Sequence, residues 1–111
     1  MIYLYTFRLY IINKTQMKLL SIHPSEHSDK KYVATFQLDN GHTKEVHFGA
    51  KGYSDYTIHK DPERKERYLM RHKNREHWND PVSPGALSRW ILWNKPNLQD
   101  SIRDFRLRYN L

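Results

Sequence analysis

A short apolar helix between two similar helix ends is encoded in residues 78–96, WNDPVSPGALSRWILWNKP. Trp78-Asn79-Asp80-Pro81 and Trp93-Asn94-Lys95-Pro96 each combine an asparagine, which tolerates the left-handed conformation at a helix end, with a proline, which cannot continue a helix. Ser83 and Pro84 supply a helix start between them. Because the enclosed helix is apolar nearly all round, we predict that it is buried at the centre of the fold.

Two further helices are predicted on either side of this segment. Asp61-Pro62-Glu63 combines a capping aspartate with a proline at the first helical position, and we expect that helix to run to about Trp78. Asn97, followed three residues later by Asp100, predicts the start of the last helix. Its inward stripe is Leu98, Ile102, Phe105 and Tyr109, and its arginines, Arg103, Arg106 and Arg108, are expected to point away from that stripe.

A β-hairpin is predicted upstream of the helices. Lys31–Leu38 is rich in β-branched and aromatic residues, Asp39-Asn40-Gly41 is a turn, and the chain returns through Thr43–Phe48. A preceding strand that contributes Leu20 and Ile22 would complete a three-stranded antiparallel sheet with one buried face. The residues expected on that face are Tyr32, Ala34, Phe36, Leu38, Val46 and Phe48. The predicted fold class is therefore α+β, a small antiparallel sheet of about three strands followed by three helices in a single domain.

Residues 1–16 differ in pattern from the rest of the chain. They alternate with a strand-like period but are apolar on both sides, and the run is shorter than the roughly 20 residues of a membrane-spanning helix. Three interpretations remain open: an extra strand, an arm that touches a membrane or a partner, or a translated upstream extension before Met17. We divide the chain into an N-terminal extension or extra strand, 1–16, and one α+β domain, 17–111, which is β-rich over 17–60 and helical over 61–111.

The chain is basic and contains no cysteine. Its formal net charge is +7, and residues 61–111 hold eleven basic against seven acidic side chains. This excess favours nucleic acid, acidic proteins or anionic surfaces as partners, although a solvated basic face also explains it. The lack of cysteine removes disulfides, thiolate nucleophiles and cysteine metal sites together.

Catalytic patterns are weak in this sequence. Seven histidines are present, but no two within a predicted helix are three or four residues apart and none alternate on one strand face, so no metal site is predicted. The run from His72 to His77 is too compressed for the nucleases that use two histidines and an asparagine. Ser54 and Asp55 near His59 lack a nucleophile elbow, and we expect them to organise a turn.

The candidate binding residues lie in one loop and one helix. Gly49-Ala50-Lys51-Gly52 is expected to be a tight connector, with contact to a phosphate backbone as the alternative. The predicted nucleic-acid or polyanion contacts are Lys51, Arg64, Arg67, Arg71 and Lys73. Arg64, Arg67 and Arg71 share one helix face and could follow a sugar-phosphate backbone, or the helix could simply be solvated. Tyr53 and Tyr56 are the predicted contacts to bases or to a protein partner.

Several ordered motifs resemble one protein family. They are FGAKGYSDYTIHKD at 48–61, Arg67-Tyr68 and Arg71-His72-Lys73, the stop at 78–81, GALSRWILWNKP at 85–96, and Ser101-Ile102-Arg103-Asp104. They are similar to small basic uncharacterised proteins encoded by nucleocytoplasmic large DNA viruses of algae and protists, over roughly residues 17–109. The resemblance implies no catalytic residues. It implies a virion component, present in the host cytoplasm or virus factory before assembly.

The sequence thus predicts a protein that acts by binding and not by catalysis. The leading hypothesis is a small virion structural protein, either minor capsid or genome-associated, that contacts capsid or other virion proteins and polyanions. The alternative is a dedicated nucleic-acid-binding protein that uses the basic helix, with DNA as its partner. An enzyme ranks third. No cofactor, no metal, no small-molecule substrate and no transmembrane segment are expected.

Overall fold

The three predicted strands form one antiparallel sheet in the computed structural model, which describes residues 16–111. The strands are β1 (Lys18–Pro24), β2 (Lys30–Gln37) and β3 (Thr43–Ala50), and they neighbour one another in sequence order. The turn between β2 and β3 closes through the bond from Leu38 N to His42 O, at 2.7 Å. The predicted hairpin is confirmed, whereas the predicted extension 1–16 lies outside the described residues apart from Gln16.

The inward residues of β1 differ from the prediction. Leu19 is opposite Phe36 and Ser21 is opposite Thr35, so one extra residue, Leu20, is accommodated by a bulge. Because successive side chains of a strand alternate between faces, the bulge turns Leu19 inward and leaves Leu20 49% exposed. The expectation that Leu20 would be buried with Ile22 is therefore wrong, and Leu19 fills that place.

The helical half follows the sheet. It comprises α1 (Tyr56–His59), α2 (Pro62–His72), α3 (Pro84–Leu87) and α4 (Leu98–Tyr109). A single π-helical turn, Ser88–Leu92, continues α3 without a break, and its bond from Trp93 N to Ser88 O measures 3.1 Å. The predicted α+β architecture is confirmed, with α1 as an additional one-turn helix.

The core lies between the sheet and the α3 segment, which is α3 together with the π-helical turn, residues 84–92. Phe36 and Phe48 of the sheet are fully buried, as are Leu87 and Ile91 of the α3 segment and Phe105 of α4. These residues belong to one cluster, which confirms the prediction that the helix starting at Ser83 and Pro84 is buried at the centre of the fold. Burial of such large side chains is the main favourable term in folding a domain of this size.

The last helix begins as predicted but uses its arginines differently. The Asn97 side chain accepts from the backbone N–H of Asp100 at 3.1 Å, which caps α4. Arg103 is exposed as expected. Arg106, however, donates to the carbonyl of Leu19 and joins α4 to β1, and the Arg108 guanidinium lies 3.6 Å from the ring centre of Trp90. Both arginines therefore hold neighbouring elements, because their aliphatic stems can cross the apolar surface.

Candidate nucleic-acid interface

The start of α2 is fixed by local chemistry. The Asp61 carboxylate accepts from the backbone N–H groups of Glu63 and Arg64 at 3.0 and 3.5 Å, and Pro62 occupies the first turn. These contacts satisfy amide groups that have no partner within the helix. The predicted helix start is confirmed, and it fixes the direction in which the following basic residues project.

The end of α2 is earlier than predicted. The helix stops at His72 instead of Trp78, and the chain turns back through the bond from Arg75 N to His72 O. The Glu76 carboxylate lies 2.5 Å from His72 Nδ1 and accepts from the Trp78 indole N–H at 3.0 Å. The Trp78 carbonyl in turn accepts from the Trp90 indole N–H at 3.3 Å and from the Tyr109 hydroxyl, so the chain after His72 is held against the π-helical turn and α4.

Tyr68 anchors α2 to the rest of the molecule. Its ring stacks on Trp93, with 4.1 Å between ring centres and 2° between planes, and on His72 with 4.2 Å between centres. Burial raises the pKa of the Tyr68 phenol well above its usual value. One side of α2 is therefore held against the π-helical turn by aromatic stacking.

Lys65 also belongs to the inner side of α2. Its ammonium donates to the carbonyl of Asn94 at 2.7 Å and lies 5.1 Å from the ring centre of Tyr56. Burial, more than the nearby Arg89 and Lys95, lowers the pKa of Lys65. This lysine is therefore a structural contact, and Tyr56 is half-buried beneath it.

The exposed side chains of α2 and of the turn after it include five basic residues, beside the acidic Glu63 and Glu66. Arg64, Arg67, Arg71, Lys73 and Arg75 are all exposed, and none of them makes an ion pair with another residue in the range 16–111. Helical geometry places Arg64, Arg67 and Arg71 within one narrow sector, at about 100° per residue, and Lys73 about half a turn away from Arg64. The structure thus brings the three arginines together and separates Lys73 from them.

A cleft of about 410 Å³ adjoins this basic surface. Its α2 side is lined by Arg64, Tyr68, Arg71 and His72. The opposite side is formed by the ends of the β2–β3 ladder and by the loop before α1, and the π-helical turn closes the bottom. The lining residues of those parts are Lys31, Gly49, Ala50, Tyr53, Ser54, Asp55, Glu76, Ser88, Leu92 and Trp93. Its volume lies within the range of typical small-ligand sites.

A buried ion pair holds the sheet side of this cleft. The Lys31 ammonium lies 2.5 Å from the Asp55 carboxylate, and their side chains are 13% and 3% exposed. The same carboxylate caps α1 by accepting from the backbone N–H of Thr57 at 2.9 Å. Asp55 therefore organises the turn, as expected, and in addition connects β2 to α1.

The two predicted loop contacts occupy different positions. Tyr53 lines the cleft and is 74% exposed, so one face of its ring is available to a partner. Lys51 is exposed two residues earlier, but it is not among the residues that line the cleft. Of the residues predicted from sequence, the structure therefore gathers Arg64, Arg71 and Tyr53 at one cleft, with Arg67 beside them.

Sequence reasoning missed the cleft and two clusters elsewhere. Lys31 and Trp93 line the cleft from positions far from α2 along the chain, so no local spacing points to them. On the open side of the sheet, the Ser25 hydroxyl lies 2.8 Å from His47 Nδ1, and the rings of His47 and His27 stack at 3.7 Å. Around α4, the guanidinium groups of Arg89 and Arg108 both lie over the Trp90 ring, at 4.0 and 3.6 Å from its centre.

Residues 16–111 contain neither a cluster of metal-ligand side chains nor a membrane-spanning helix. Across residues 16–111, no three histidine or acidic side chains are grouped so that they could hold a metal ion. No helix in that same part of the protein has the length and apolar character to cross a membrane.

Comparison with known proteins gives one family match. Residues 20–72 match the model of a family of unknown function, DUF5754. The matched range contains most of β1, all of β2 and β3, and both α1 and α2, and so includes Tyr53 and the three arginines of α2. No curated protein and no solved structure matches the chain. The resemblance to viral proteins stays a prediction.

Proposed function

We propose that this protein is a non-enzymatic nucleic-acid-binding protein that contacts the sugar-phosphate backbone through α2. The observation that carries this proposal is the narrow sector of Arg64, Arg67 and Arg71, which are exposed and make no ion pair with any residue from 16 to 111. Guanidinium groups bind phosphate with paired N–H donors. Three of them along one helix face present a row of phosphate contacts.

The packing of α2 supports this use of its outer face. Tyr68 and Lys65 hold the inner side by stacking and hydrogen bonding, so the arginines are displayed from a fixed element. A fixed element loses less conformational freedom on binding than a mobile loop does. The partner class is therefore a polyanion with a regular spacing of charges, and DNA and RNA both have that property.

The salt dependence of DNA binding tests the proposal. Purified protein is titrated with a random-sequence duplex at several salt concentrations, and affinity should fall steeply as salt rises because each neutralised phosphate releases counterions. The double variant Arg67→Glu with Arg71→Glu removes two contacts, and its slope of log affinity against log salt should be shallower by about 2.

A matched control separates the α2 surface from net charge. Lys18 and Lys44 are exposed on the sheet, and reversing both changes the net charge by the same amount as the α2 double variant. We expect the control to bind nearly as the wild type does. Equal losses in the two double variants would contradict a site on α2, and no binding of the wild type at low salt would overturn the function itself.

A second candidate function is a small structural protein of a virion. Several large apolar side chains are exposed and offer protein contacts: Leu20 at 49%, Ile58 at 61%, Met70 at 70% and Leu107 at 78%. In this proposal the basic helix meets acidic neighbours or the packaged genome, and the protein resides in the virion. Sedimentation of the purified protein tests it, because a structural subunit should self-associate as concentration rises. A monomer at all concentrations, with steep salt-dependent DNA binding, would favour the first candidate.

A further inference from the structure

We propose that the cleft beside α2 receives one unpaired nucleotide of a bound single strand, with its phosphate at Arg64 and Arg71 and its base against Tyr53. This inference rests on the proposed function and goes beyond it. It assigns a preferred form of nucleic acid and adds a base contact at Tyr53 to the phosphate contacts of α2. The outer face of α2 binds the backbone in either form, whereas the cleft acts only on bases that are free to leave a stack.

The charges in the cleft favour an anion. Three cationic side chains line it, and the ammonium of Lys31 is already bound to the carboxylate of Asp55. The other carboxylate, Glu76, lies 2.5 Å from His72 Nδ1 and accepts from the Trp78 indole. Arg64 and Arg71 therefore keep their donors for a ligand, since neither is in an ion pair with any described residue.

The aromatic side chains of the cleft favour a planar group beside that anion. Tyr53 stands at the cleft with 74% of its surface exposed, while Tyr68 and Trp93 stack on each other inside at 4.1 Å. Tyr53 is the ring open to a base, and bases stack on such an exposed ring whatever their sequence, because every base has a π-face. An anion joined to a planar aromatic group is the chemistry of a nucleotide.

The π-helical turn contributes the bottom of the cleft. Its widened geometry, with the bond from Trp93 N to Ser88 O, brings Ser88, Leu92 and Trp93 to the same side of the helix. Single π-helical turns within α-helices are frequent at functional sites. Ser88 and Ser54 add hydroxyl groups that can donate to or accept from the edge of a base.

A duplex does not offer this combination. Its bases are stacked and paired inside the helix, and to bring one into a side pocket costs unstacking free energy. A single strand carries the same phosphates with bases that are free to turn outward. Tyr53 should therefore contribute to binding of a single strand and contribute nothing to binding of a duplex.

The test compares Tyr53→Ala with Tyr53→Phe on two probes, a fluorescein-labelled oligothymidine and a duplex of the same length. Because Tyr53 is highly exposed, both variants should fold, which circular dichroism checks. We expect Tyr53→Ala to weaken oligothymidine binding by about 5- to 100-fold and to leave duplex binding unchanged. Tyr53→Phe keeps the ring and should bind both probes as the wild type does.

Photocrosslinking locates the base directly. An oligonucleotide that carries 5-bromouracil is irradiated with the wild-type protein, and the adduct is mapped by mass spectrometry. Adducts at Tyr53 or Trp93 support the proposal. Adducts confined to the sheet, or a Tyr53→Ala variant that binds the single strand normally, would overturn the assignment of the cleft. Neither result would affect the proposed contact of α2 with the sugar-phosphate backbone. If the wild type binds neither probe, the proposed function and the cleft assignment both fall.

Discussion

Gly49 provides a sharp test of how the sheet packs on the π-helical turn. Its φ of +81° lies in the region that side chains disfavour, and a Cβ built on it would lie 2.8 Å from Leu92 Cδ1 and 3.1 Å from Lys31 Cβ. Leu92 is only 2% exposed, so it has little room to move away. Gly49→Ala should therefore suffer both backbone strain and overpacking.

Gly52 is the matched control because it shares only the first of these effects. Its φ is +93°, and nothing lies within 4 Å of a Cβ at that position. Backbone strain costs about 1–2 kcal/mol at either glycine, and overpacking adds about 1–3 kcal/mol at Gly49. We expect Gly52→Ala to lower the free energy of unfolding by about 1–2 kcal/mol and Gly49→Ala to lower it by about 2–5 kcal/mol.

Urea unfolding followed by tryptophan fluorescence measures both variants. The slope of unfolding free energy against urea should not change, so the difference appears in the midpoint. Adding Leu92→Val to Gly49→Ala removes the atom that clashes, and the double variant should lose less than the sum of the two single losses. Equal losses for Gly49→Ala and Gly52→Ala would refute this account of the contact.

Three further predictions concern the ion pair, pH and the core. Asp55→Asn leaves the Lys31 ammonium buried without its counter-charge and should cost about 3–5 kcal/mol, whereas the double variant with Lys31→Met should recover much of that loss; simple additivity in a double-mutant cycle would contradict this. Burial first, and the positive charge of a nearby arginine second, lower the pKa of His59 below its usual 6.5. Protonation therefore favours the unfolded state, and the stability that His59 contributes is complete above about pH 6.5 and is lost as pH falls through the lower folded value. Denaturation between about pH 8 and pH 5 should show a greater loss for the wild type than for His59→Asn, and parallel curves would contradict this. Phe105→Ala should cost about 3–5 kcal/mol and the exposed Leu107→Ala less than about 0.5 kcal/mol in the same urea assay, and similar losses would place the core elsewhere.

The binding residues could be found from sequence only where they share one element. Arg64, Arg67 and Arg71 repeat at helical spacing, so their common face is readable without a structure. Lys73 belongs to the same basic run in the sequence. At about 100° of rotation per residue, however, its side chain projects about half a turn away from that of Arg64. The cleft itself was not readable, because Lys31 and Trp93 reach it from elements that are distant along the chain.

The sequence by itself determined the features that depend on contacts a few residues apart. The caps at Asp61, Ser83 and Asn97 and the hairpin turn are of this kind, since each is satisfied within about one helical turn or one loop. These local signals were enough to define three strands followed by helices.

Tertiary structure decided the features that depend on contacts between residues far apart in the sequence. The bulge at Leu20 forms because Leu19 and Ile22 lie opposite Phe36 and Ala34 across the same ladder. The chain leaves α2 after His72 and reaches Trp78, whose carbonyl accepts from Trp90 of the π-helical turn and from Tyr109 of α4. In each case contacts and burial in the folded chain outweigh a small local preference, so the outcome exists only after the elements have packed.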